Sequence, residues 1–70
     1  MKKRIYIDGM SCSHCVSHVK EALLDIGAMK VKVDLEEKFA LGEFEDEVTD
    51  NDITEAIEEV GYEVTEIEED

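Results

Sequence analysis

An α+β open-faced sandwich, with one four-stranded antiparallel sheet covered on one face by two helices, is the fold predicted by three features of this 70-residue chain. Apolar residues alternate at period two in four short segments. They recur every three or four residues in two longer ones, and Gly9, Gly27 and Gly61 stand where the period changes. The resulting order is βαββαβ, two split β-α-β units, which is the ferredoxin-like arrangement. A chain of this length buries only about 60% of the surface that its unfolded form exposes, so residues 1–70 make one domain with a small core.

The first strand is read at Lys3 to Asp8, with Ile5 and Ile7 on one side and Arg4, Tyr6 and Asp8 on the other. From about Ser13, the positions Val16, Val19, Leu23 and Ile26 mark a helix that Gly27 stops. Met29, Val31 and Val33 alternate with Lys30, Lys32 and Asp34, and Glu36, Glu37 and Lys38 form a polar turn before a third strand from Phe39 to Phe44. The phase of that strand is open, because both of its faces are mainly apolar. If Ala40 and Phe44 face the helices, Phe39 and Leu41 lie near Tyr6 on the bare side, as tolerated surface residues or as a dimer contact. Asp50 or Asn51 is expected to cap a second helix with Ile53, Ala56, Ile57 and Val60 as its buried stripe. Tyr62 to about Ile67 is the last strand, and the acidic end after it is solvated.

Composition narrows the function. The chain is too small to enclose a deep substrate cavity, which counts against most enzymes. No apolar run approaches the roughly 20 residues that span a bilayer, and the basic start is followed by an alternating strand instead of a signal-peptide core, so a cytoplasmic protein with no membrane insertion is expected. The net charge is −13, and residues 43–70 hold fourteen acids and no base, against six acids and seven bases before them. Such a field disfavours nucleic acid and would steer the domain toward a basic protein surface, although solubility alone also explains a charge run.

Chemistry concentrates in Gly9-Met10-Ser11-Cys12-Ser13-His14-Cys15, between the first strand and the first helix. One thiol falls in the loop and the other in the first helical turn, so both can reach one point, where backbone N–H groups and the helix dipole favour thiolate. Cytosolic cysteines are kept reduced, and a disulfide across three residues would remove little unfolded-chain entropy, so the pair points to metal or redox chemistry. Two soft thiolates without an evident third ligand suit Cu(I), whereas structural zinc takes four ligands in a closed tetrahedron. An open two-thiolate site also admits a partner's cysteine, so metal can pass by ligand exchange.

The strand, the Gly-Met-x-Cys-x-x-Cys loop, the helix and the second β-β-α-β half, in this order over essentially the whole chain, resemble the heavy-metal-associated domain family. Its members include copper chaperones and the N-terminal modules of copper-transporting P-type ATPases. The resemblance implies a metal carrier with no catalytic turnover and with Cys12 and Cys15 as its ligands. It places Met10 inward beneath the loop as support and sets Tyr62 beside the metal site. It makes His14 a solvent-facing residue whose open roles are tuning the site and joining a Cu(I)-bridged dimer, with metal ligation ranked below a bystander role. Ser11 stands where zinc-handling relatives often carry an acid, which favours copper. The implied partner is a copper-transporting P-type ATPase or its metal-binding domains. The chain is expected to be a monomer when apo, and a Cu(I)-bridged dimer is left open when loaded.

Three rivals stand beside the Cu(I) chaperone: the same domain as part of an ATPase, a carrier of Zn(II) or another soft ion such as Ag(I) or Hg(II), and a thiol-disulfide oxidoreductase. The last is disfavoured because thioredoxin-type folds are longer and commonly place a cis-proline at the site, and this chain has no proline. A zinc carrier needs another ligand from Asp8, a histidine or a second subunit. His14 and His18, one turn apart, could share a helix face and bind zinc or nickel, but such pairs are more often merely exposed.

Overall fold

Ile5 and Ile7 alternate with polar neighbours in the first strand, β1 (Lys2–Asp8), and burying both isoleucines places that strand in the middle of the sheet. The computed structural model describes residues 1–69. It has the expected order: α1 (Ser13–Asp25), β2 (Met29–Asp34), β3 (Phe39–Glu43), α2 (Asp50–Glu59) and β4 (Glu63–Glu69) follow β1. The strands lie in the order β2-β3-β1-β4, all antiparallel, with Ile5 opposite both Ala40 and Ile67. Both helices lie on one face. Val19 and Leu23 of α1 and Ile53 and Ile57 of α2 close over Ile5, Ile7, Ala40 and Phe44 to make the core.

The open phase of β3 is resolved by this cover. Ala40 and Phe44 are buried under the helices, while Phe39 and Leu41 point to the bare face. There Phe39 meets the edge of Tyr6, with ring centroids 6.0 Å apart, and the Arg4 guanidinium sits 4.8 Å from its ring centre. These contacts shield Phe39 within the chain itself. Gly42 shares the inward face of β3, and an added Cβ would stand 3.2 Å from the Phe44 ring. A β-branched residue there would have to push the Phe44 ring aside. Gly42→Val is expected to cost about 1–3 kcal/mol from overpacking, read as a lower urea midpoint at unchanged slope.

Three local expectations are corrected. The α2 cap is Thr49, not Asp50 or Asn51: its hydroxyl accepts from the Asp52 N–H at 3.1 Å, and the Asp52 carboxylate accepts from the Thr49 N–H at 3.1 Å. This reciprocal box outranks a lone acidic cap because it satisfies two donors. Val60 is exposed, since it follows the last turn of α2 and the buried stripe ends at Ile57. Met29 is exposed as well, because β2 bulges between Met29 and Lys32, with Lys30 at φ 53°, and the extra residue shifts the alternation.

Lys3 is a buried residue that alternation alone did not mark. Its Nζ reaches Asp50 at 2.5 Å, in the first turn of α2, so the charge is paired on the acidic end of that helix.

Candidate metal centre

Gly9, at φ 91°, turns the chain out of β1. Met10 then drops back into the core at 1% exposure. Ser11 and Cys12 follow at the surface. Cys12 is extended and serves as the N-cap of α1 through its backbone: its carbonyl accepts from the N–H groups of Cys15 and Val16. No acidic residue stands in the first turn of α1, although the chain holds 20 acids, whereas α2 has two in its first turn. The positive end of α1 is thus left to the sulfurs.

Both thiols are free, and their sulfurs lie 2.9 Å apart. They differ in setting. Cys12 is exposed, while Cys15 is 8% exposed and packs against the core. Tyr62, half-buried in the turn between α2 and β4, directs its hydroxyl at Cys15. Its ring lies over Gly9, where a Cβ would come within 3.6 Å of Cδ1. Ser11 contributes through its backbone N–H toward the Cys15 sulfur, and its side chain is exposed.

These donors set the chemistry of the pair. The Cys15 thiol is lowered from 9.0 to about 6, first by the hydrogen bond from Cys12, then by Tyr62 and by the Ser11 N–H, with burial opposing. Tyr62 is correspondingly raised from 10.0 to about 12, since its proton is held by Cys15 and the sulfur charge opposes its loss. Cys15 therefore presents thiolate, the metal-binding form, at neutral pH. Between about pH 6 and pH 9.0 the unfolded chain keeps a proton that the folded chain has released, so this contribution to stability is full above pH 9.0 and is lost as pH falls through 6.

In the reduced apo protein, ultraviolet thiolate absorption should rise through pH 6 with the amplitude of one cysteine. Cys12→Ala should move that step toward 9.0, and Tyr62→Phe should move it less far. A step that stays in place in both variants would show that these donors do not set it.

The remaining residues fall as follows. His14 is exposed on the first turn of α1. Asp8 is exposed at the end of β1. His18 turns to the Tyr62 hydroxyl, with Nδ1 3.4 Å from the oxygen, a link between residues 44 apart that no local pattern announces. Among the described residues, no group of three or more His, Cys, Asp or Glu converges to hold a metal. The described residues thus bring two sulfurs together and form no closed tetrahedral site.

Known proteins share this arrangement. The profile of the heavy-metal-associated domain matches residues 4–63. A copper chaperone, CopZ, of Enterococcus hirae is 42% identical over 64 residues, 89% of this chain and 93% of that protein. Two larger proteins contain a similar stretch. A probable copper-exporting P-type ATPase of Archaeoglobus fulgidus is 46% identical over 80% of this chain and 7% of its own length. A mercuric reductase of Bacillus cereus is 40% identical over 99% of this chain and 11% of its own. A solved CopZ metallochaperone superposes with a TM-score of 0.86 at 33% identity, covering 93% of this chain and all of that one. With its fold, its loop and the match across most of its length in agreement, the chain belongs to the heavy-metal-associated domain family.

Proposed function

We propose that this domain is a Cu(I) carrier that holds one ion between Cys12 and Cys15 and passes it to a partner by ligand exchange, without catalytic turnover. The observation that carries the reading is the asymmetric pair: a seated, ionised Cys15 beside an exposed Cys12, with no third donor among the described residues. Two soft sulfurs favour Cu(I) over zinc by donor type and number. With metal–sulfur bonds of about 2.3 Å as a guide, an ion held linearly separates its sulfurs by roughly 4.6 Å. The 2.9 Å apo pair therefore opens on loading. Cys12 is the one free to move, because Cys15 is packed in the core and fixed in the helix.

Transfer follows from the same asymmetry. A partner thiolate forms a third sulfur bond to the ion, the Cys12 bond breaks, a second partner thiolate replaces Cys15, and copper stays Cu(I) throughout. The similarity to CopZ chaperones and to copper-exporting ATPase sequence supports a copper-transporting P-type ATPase or its metal-binding domains as the partner, in the cytoplasm. The acids of the C-terminal half would steer a locally basic docking surface toward the domain. Zn(II), Ag(I) and Hg(II) are competitors for the same sulfurs, and the match to a mercuric reductase gives Hg(II) specific weight. A second reading, a metal-binding module within an ATPase, is favoured by the 46% identity to one segment of such a protein.

Anaerobic titration of the reduced protein with Cu(I) against a chelator, with X-ray absorption of the complex, tests the proposal. One sulfur-bound Cu(I) per chain, or per dimer, supports it, provided equimolar Zn(II) fails to displace the ion. Tighter retention of Zn(II), or disulfide reductase activity in place of metal binding, overturns it.

A further inference from the structure

His18 sits one helical turn beyond Cys15 on α1, and its ring is aimed at Tyr62, which approaches from the α2–β4 turn. A phenol has a single proton. Tyr62 commits it to the Cys15 sulfur, so the lone pairs of the phenol oxygen are what His18 Nδ1 meets at 3.4 Å. A bare Nδ1 would compete with the sulfur for the Tyr62 O–H, whereas a protonated Nδ1 donates to the oxygen and leaves the O–H donating to the Cys15 sulfur.

We propose that His18 is a positioning residue for the metal site: its Nδ1–H donates to the Tyr62 oxygen, which keeps the Tyr62 O–H directed at the Cys15 sulfur and ties the α2–β4 turn to α1. The hydrogen bonds run in one direction, from His18 to Tyr62 to Cys15, and each bond polarises the next. In neutral His18 the proton is therefore on Nδ1 and Nε2 faces water. His14, exposed on the first turn, has no such constraint. The relevance to metal retention rests on the carrier reading; the order of the hydrogen bonds is a property of the apo protein.

Long-range proton–nitrogen correlation NMR on the reduced, 15N-labelled apo protein above the imidazole titration reads the tautomer directly. The expected result is Nδ1–H at His18, with that preference lost in Tyr62→Phe and with His14 as the internal reference. Nε2–H at His18 in the wild type, or an Nδ1–H preference that persists in Tyr62→Phe, overturns the proposal.

His18→Leu should lose Cu(I) to a competing chelator up to roughly 10-fold faster, the lower end of what residues supporting a metal ligand contribute. His18→Asn, whose amide N–H can reach the same oxygen, should restore the rate. Unchanged loss in His18→Leu, or no rescue by His18→Asn, overturns the positioning role. Should the wild type fail to hold Cu(I), the carrier reading falls, while the tautomer measured without metal still decides this one.

Discussion

Serine at either cysteine is expected to abolish retention of Cu(I) against a competing chelator, with a loss well beyond the roughly 10–100-fold that removal of a supporting residue costs. A single remaining thiolate cannot chelate the ion. The two variants should nevertheless differ in their apo chemistry. Cys12→Ser keeps the buried Cys15 under Tyr62 and the Ser11 N–H, so its remaining thiol is still ionised below the usual 9.0. Cys15→Ser removes the group that these donors serve and leaves Cys12 exposed at the helix N-cap. Alkylation rates at neutral pH, followed by mass spectrometry, distinguish the two remaining thiols. If either serine variant held Cu(I) as tightly as the wild type, the pair would not be the site.

Phe44→Ala should be the most damaging change away from the metal loop. Phe44 is 2% exposed and among the largest fully enclosed side chains. Truncating a buried phenylalanine costs about 3–5 kcal/mol. A domain of this size has only about 4–10 kcal/mol in total, at roughly 0.05–0.15 kcal/mol per residue. The variant is therefore expected to be near the edge of folding at ambient temperature, with a large drop in urea midpoint. Phe39→Ala provides the control, because Phe39 is half-buried on the bare face and loses mainly its contacts with Tyr6 and Arg4. Equal costs for the two would contradict the assignment of the β3 faces.

The same two phenylalanines show how far the sequence could be read. Period two marks β3 as a strand, but it cannot say which of two apolar faces the helices cover. That choice depends on where α1 and α2 land, and they land over Ala40 and Phe44. The Met29 prediction failed for a related reason: alternation assumes an unbroken ladder, and the bulge at Lys30 breaks it. The Thr49 cap was legible in principle, since Thr49 and Asp52 have capping-box spacing, but Asp50 and Asn51 offered competing caps one and two residues later.

The sequence by itself determined the order of the elements and the loop that presents the two thiols, because period, glycine placement and motif spacing act over a few residues. Tertiary structure alone decided which sulfur is seated and which is free, that Lys3 pairs with Asp50 across 47 residues, and that His18 meets Tyr62 across 44. Such contacts join elements whose separation along the chain carries no periodic signal; they exist only once α1, α2 and the sheet have packed and brought the α2–β4 turn against the thiol loop.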